Sequence, residues 1–225
     1  IPPLKIQELT DYQIEGPDHE RFGTTTFQIS MNKGTYDALP PDLTEHDALV
    51  VLGGHMGAED DATHPWLTPT KQLFRVAAGG GVPALGVCLG HQVAASALGG
   101  RVTRNPAGPQ TGLLRVGWEE TAARDDLVGG LATPRRGVHW NDDVVVDLPA
   151  GGVRLATAPG GEVQAARLAP SVWGVQWHPE ADVDVVAGWP GTTRGLDEVR
   201  TAGPELVASW RPLAAAFLAL VRARA

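Results

Sequence analysis

Cys88 is the only cysteine in the 225-residue chain, and glycines stand two positions to either side of it in Gly86-Val87-Cys88-Leu89-Gly90. The run before it, Val82-Pro83-Ala84-Leu85-Gly86-Val87, reads as a short buried strand, because it is apolar and follows the breaker Gly79-Gly80-Gly81. The run after it, Gln92-Val93-Ala94-Ala95-Ser96-Ala97-Leu98, reads as a helix that Gly99-Gly100 stops. Cys88 is therefore expected at a strand-to-helix turn. This is the G-x-nucleophile-x-G elbow, whose glycines permit a tight turn that lifts the side chain above the sheet edge. A sulfur at a helix start also feels the positive end of the helix dipole, which favours the reactive thiolate. An inert buried cysteine is the competing reading, since free cysteines are among the most buried residue types.

A partner far downstream weighs against inert packing. Val172-Trp173-Gly174-Val175-Gln176-Trp177 is a second strand-like run, and His178-Pro179-Glu180 follows it. Pro179 cannot donate to a sheet ladder, so the strand should end there and leave His178 and Glu180 on the exit loop. In a parallel sheet both motifs would lie at the carboxyl edge, where open α/β folds place their sites. A thiol nucleophile needs a base to take its proton, and that base needs an acceptor to fix its tautomer. Cys88, His178 and Glu180 supply the three roles.

The two motifs, Gly86-Val87-Cys88-Leu89-Gly90-His91-Gln92 and Gly174-Val175-Gln176-Trp177-His178-Pro179-Glu180, stand about ninety residues apart. Together they resemble the paired signature of class I glutamine amidotransferases, over roughly residues 46–180. Within that family the chain looks most like the free-standing proteins that resemble the amidotransferase half of GMP synthetase. The resemblance implies an α/β, flavodoxin-like fold with a mixed, mainly parallel sheet and helices on both faces. It also implies hydrolysis of glutamine to glutamate and ammonia through a thioester on Cys88. Carried over by motif, the N–H groups of Gly54 and Leu89 form an oxyanion hole, and Gln92 lies on the substrate side of the pocket. His55 stands where this family commonly has Pro.

His139-Trp140-Asn141-Asp142-Asp143 falls where the resembling proteins often read His-Gly-Asp, with Asn141 and Asp142 at the His and Gly positions. Asn141 and Asp142 are therefore candidate substrate-binding residues. A side chain where glycine allows close approach, and a carboxylate near the expected substrate carboxylate, both disfavour an ordinary glutamine pose. A surface turn is the alternative, since Asn and Asp are common turn residues.

Composition bounds the remaining possibilities. The formal net charge of -8 and the lack of a Lys/Arg block argue against a nucleic-acid partner. A single cysteine cannot build an internal disulfide framework and suits a reducing compartment. Neither a charged-then-apolar leader nor an apolar run approaching ~18 residues is visible, so the expectation is a cytoplasmic protein without a membrane span. Neither an H-x-x-x-H helix nor a Cys/His cluster suggests a metal, and no cofactor is expected. The phosphate-binding G-x-x-x-x-G-K-[ST] pattern is also missing. Ammonia released here would be useful only to a separate synthetase, which becomes the expected partner beside the small amide substrate.

Along the chain, Leu4–Leu9 and Thr26–Met31 read as strands, whereas residues 11–25 show no amphipathic repeat, so residues 1–30 are atypical for the family. Asp47–Leu52 is a buried strand delivering Gly53-Gly54, and Thr68-Pro69 marks the start of a helix over 69–78. Short β-like runs at 101–103, 112–118, 144–146, 155–158 and 163–168 suggest an antiparallel or mixed extension of the sheet. Residues 203–225 carry a helical apolar face. One domain over 1–225 is the simplest organisation. Two functional alternatives stay open: the same triad acting on a γ-glutamyl peptide or pathway-specific amide, as hydrolase or acyltransferase, and a non-catalytic protein with a binding or regulatory role.

Overall fold

The computed structural model describes residues 39–189 and 195–224. The expected strands at Leu4–Leu9 and Thr26–Met31, and the irregular stretch 11–25, lie outside the described residues. The described elements run β1 (Leu49–Val51), α1 (Leu67–Gly80), β2 (Ala84–Val87), α2 (Leu89–Ala97), β3 (Arg101–Arg104), β4 (Gln110–Arg115), β5 (Arg136–Asn141), β6 (Asp143–Asp147), β7 (Val153–Thr157), β8 (Val163–Ala169), β9 (Val172–Val175), α3 (Val183–Ala187) and α4 (Leu196–Arg224). Single 3-10 turns at Glu120–Arg124 and Gly129–Leu131 join β4 to β5.

A seven-stranded sheet runs in the order β1-β2-β9-β8-β6-β3, with β7 also pairing β8. The β1–β2 and β2–β9 pairs are parallel, and every pairing beyond β9 is antiparallel. The sheet is thus mixed, and its parallel part holds both motif strands. All residues of β2 and β9 are buried, which is why they read as continuous apolar runs without alternation. β4 and β5 form a separate two-stranded antiparallel sheet. The sequence of β5, Arg136-Gly137-Val138-His139-Trp140-Asn141, does not read as a strand, because its polar residues hide the pattern.

The sheet is covered on both faces. On one face α1 and α2 pack through Leu67, Leu73, Phe74, Val93 and Ala94 against Ala84, Val145 and Val172. On the other, Leu85, Val87, Trp173 and Val175 meet the β4–β5 ribbon and α4. The buried positions of α1, Leu67, Thr70, Lys71, Leu73, Phe74 and Ala77, fall at three- and four-residue steps along one face, and Gly81 in the left-handed region (φ 66°) ends the helix. Its cap differs from the expected one. The helix begins at Leu67 after Trp66, and Thr68 Oγ1 instead donates to Asp61 Oδ1 at 2.7 Å.

α4 starts seven residues before the expected 203 and continues through Pro204 and Pro212. By length and composition it is the one described helix able to cross a membrane, although Arg211 interrupts its apolar run. Its buried stripe, Val199, Ala202, Leu206, Trp210, Leu213 and Phe217, belongs to the same core as β2 and β9. Trp210 anchors it: the ring lies 4.8 Å from that of Trp177, and its Nε1 donates to the Arg136 carbonyl at 3.0 Å. Trp210→Ala should therefore cost about 3–5 kcal/mol of unfolding free energy, read from urea denaturation. A loss below about 1 kcal/mol would mean that α4 contributes little to the core.

Candidate active site

The parallel register of β2 and β9 pairs Gly86 with Gly174 and Val87 with Val175, so the two chains leave the sheet side by side. Cys88 follows β2 directly, and α2 begins at Leu89. Its backbone sits at φ 52°, ψ -108°, the one positive-φ non-glycine among the described residues. Such a conformation costs on the order of 1–3 kcal/mol and persists where the surroundings over-determine it. Those surroundings are visible: Cys88 N donates to the Val175 carbonyl at 2.8 Å, and Gln92 N donates to the Cys88 carbonyl at 3.2 Å.

The flanking glycines leave no room for a side chain. A Cβ at Gly86 would lie 2.3 Å from the Gly90 carbonyl oxygen, and one at Gly90 would lie 2.0 Å from that of Val51. Both contacts are with backbone, which cannot rotate away. The elbow inferred from the sequence is therefore built as expected, with each glycine required by close approach.

His178 leaves β9 and is fixed by its N–H donating to the Val138 carbonyl at 2.8 Å. Its Nδ1 lies 2.7 Å from Glu180 Oε1, and its ring is close enough to Cys88 to feel that residue's charge. His178 is buried, whereas the Glu180 side chain is about a third exposed. Burial alone would push the imidazolium toward neutrality. The negative charges of Cys88 and Glu180, and the hydrogen bond to Glu180, outweigh it and raise the His178 pKa to about 10. His139 behaves oppositely: burial drives its pKa down to about 4 and keeps it neutral, with Nδ1 3.1 Å from the Gly137 carbonyl.

Gly53 presses on the same pair, since a Cβ there would lie 2.7 Å from His178 Cε1 and 3.5 Å from Cys88 Cβ. The next residue, Gly54, is on the loop that Gly53 brings against the nucleophile. Leu89 opens α2, so its N–H belongs to the first-turn donors that a helix leaves without an internal acceptor. Leu89 thus follows Cys88 directly, and Gly54 adjoins the glycine that packs on it.

The remaining candidates have defined places. Gln92 is buried, and its Nε2 donates to the Asp143 carbonyl at 2.8 Å and to Gln176 Oε1 at 3.2 Å, so its amide nitrogen ties α2 to the start of β6. Asn141 ends β5 buried, with Nδ2 donating to Gln110 Oε1 at 3.2 Å and to the Asp143 carbonyl at 3.1 Å. Asp142 is half exposed, and its Oδ2 pairs with Arg104 Nη2 at 3.0 Å. The Asp143 carboxyl is raised by burial, a trend that Arg104 opposes and that Asp142 and Asp60 reinforce.

Sequence reasoning passed over two groups that the structure adds. The Trp140 carbonyl lies 4.0 Å from Cys88 Sγ, and the Trp189 ring lies 4.5 Å from that of His178. Neither is marked by spacing or periodicity. Among the described residues no group of three or more His, Cys, Asp or Glu is arranged to hold a metal ion.

Known proteins resemble this chain in sequence and in fold. The model of the family described as "Glutamine amidotransferase class-I" matches residues 19–185. The chain is 32% identical over 152 residues to a glutamine-hydrolyzing GMP synthase component from Saccharolobus solfataricus, covering 64% of this chain and 75% of that one. It is 36% identical over 147 residues to the component of the same name from Halobacterium salinarum, covering 65% and 73%. The crystal structure of a glutamine amidotransferase from Thermotoga maritima matches with a TM-score of 0.71 at 25% identity, over 80% of this chain and 82% of that one.

The raised pKa of His178 has a consequence for stability. A histidine whose folded pKa exceeds its unfolded value of about 6.5 stabilises the fold fully below that value, and the contribution is lost as pH rises through the folded pKa. Stability should therefore decline between pH about 6.5 and about 10, and Glu180→Gln should flatten that decline by removing one of the charges responsible. Urea titrations of both proteins across this range check it; parallel curves would exclude Glu180 as a source of the shift.

Proposed function

This chain belongs to the class I glutamine amidotransferase family, and from that premise we propose that it hydrolyses glutamine to glutamate and ammonia at Cys88 and passes the ammonia to a separate synthetase. The observation that carries this reading is a cysteine held at positive φ within reach of a histidine that Glu180 orients at 2.7 Å.

The steps follow from the geometry. The Cys88 thiolate attacks the carboxamide carbon, and the developing oxyanion faces the N–H groups of Gly54 and Leu89. The His178 imidazolium then gives its proton to the amide nitrogen, which leaves as ammonia and generates a γ-glutamyl thioester. In the second half His178, now neutral, takes a proton from water as the water attacks the thioester, and Cys88 departs as thiolate. Glu180 stabilises each imidazolium state and fixes the tautomer between them. Gln92 and Asn141 both hold the Asp143 carbonyl, and we assign them the role of shaping the pocket wall.

Pairing of Asp142 with Arg104 bears on the choice of substrate. A carboxylate already matched by a guanidinium at 3.0 Å repels a substrate carboxylate far less than a free one would. This favours free glutamine. The buried Asn141, engaged with Gln110 where relatives often carry His, supports a second reading, in which the same triad acts on a γ-glutamyl compound or transfers the acyl group to another amine. The synthetase partner rests on the relatives named as one component of a glutamine-hydrolyzing GMP synthase, and a nucleophilic thiol suits a reducing compartment such as the cytoplasm.

Cys88→Ser should lower glutamine turnover by roughly a thousandfold or more while leaving the fold intact, measured as ammonia release beside circular dichroism. A glutamine-like diazo-ketone should label the wild type at Cys88, located by peptide mass spectrometry. Labelling elsewhere, or retention of more than a few per cent of activity in the serine variant, would displace Cys88 as nucleophile.

A further inference from the structure

The loop that carries His178 folds back over its own histidine. Asp182 caps α3 by accepting from the N–H groups of Asp184 and Val185 at 3.0 and 2.9 Å, and fully buried Val186 pins the helix to the core. Trp189 N then donates to the Val186 carbonyl at 3.0 Å. The chain thereby returns the Trp189 ring to 4.5 Å from the His178 ring, tilted by 52°, and 6.0 Å from Trp140. Trp140 is the residue whose carbonyl approaches Cys88 Sγ.

We propose that Trp189 is a positioning residue for His178, its indole face holding the imidazole in line with Cys88 and stabilising the ring while it carries the proton. The inference rests on the triad reading above. An aromatic face within about 6 Å of a cation attracts it, and the effect grows where water is excluded, as it is around buried His178. The ionisable groups facing that ring are Cys88 from the elbow, Glu180 from the exit loop and neutral His139 from β5. Glu180 meets the imidazole at Nδ1, and the indole adds a contact with the ring that this hydrogen bond does not supply.

The test is a nitrogen-15 NMR titration of the His178 ring, identified by its disappearance in His178→Ala, combined with steady-state glutamine hydrolysis. Trp189→Ala should lower the His178 midpoint by about half to one pH unit. It should also reduce kcat about tenfold with KM changed less than threefold. Trp189→Phe should restore both, and Trp189→Leu, which fills space without a π face, should behave like the alanine variant. A Leu variant equal to wild type, an unmoved midpoint, or a rise in KM at unchanged kcat would overturn the proposal. An ordinary His178 midpoint already in the wild type would instead overturn the triad reading, so the two failures are distinguishable.

Discussion

Backbone crowding between α2 and the strands beneath it is the constraint on which the site depends. Gly90 approaches the Val51 carbonyl, Gly86 approaches the Gly90 carbonyl, and Gly174 leaves room for the His91 ring, from which an added Cβ would stand 2.1 Å. Three neighbouring strands and one helix thus meet where no side chain fits. This close approach lets β2 hand its chain directly into α2, and it forces the single residue between them into a conformation that L-residues rarely adopt. The reactive cysteine occupies the point where packing and strain coincide, and the hydrogen bonds from its own backbone and from Gln92 maintain it there.

The second motif depends on the first through register. Because Val87 pairs with Val175 in parallel, the strand carrying the base ends level with the strand carrying the nucleophile. His178 then needs only a bond to Val138 and a carboxylate two residues later to face Cys88. The β4–β5 ribbon supplies that Val138 carbonyl, the neutral His139 and the Trp140 carbonyl. A strand outside the main sheet therefore forms one wall of the site. A Cβ at Gly137 would lie 2.6 Å from Trp177 Cγ, which shows how closely the ribbon is seated against the residue preceding the base.

Legibility in the sequence follows the range of the interaction. The elbow, the strand that precedes it and the His-Pro-Glu exit are readable because each is written in consecutive residues with strong backbone preferences. β5 is not, since Arg136, His139 and Asn141 interrupt any apolar run, and its strand character comes from six register pairs with β4. The sequence understates the reach of α4 because Gly203-Pro204 reads as a boundary, yet the helix begins at Leu196 and passes through Pro204 as it does through Pro212. The partner of Asp142 lies on β3, 38 positions earlier in the chain, and no local pattern joins them. The same holds for Trp189, whose contact with His178 requires the turn of α3.

The polar groups beneath the site show why its loop can be placed so firmly. Gln92, Asn141 and Gln176 are all buried, and buried amides that lack partners cost on the order of 1–3 kcal/mol each. Two of them converge on the same acceptor, the Asp143 carbonyl, from α2 and from the end of β5. A slip of the β5–β6 turn would release both donors at once, so the position of the Asn141–Asp143 segment relative to Cys88 is coupled to the helix that begins at the nucleophile. The shared Asp143 acceptor therefore transmits the geometry of the elbow to the wall that a substrate would meet.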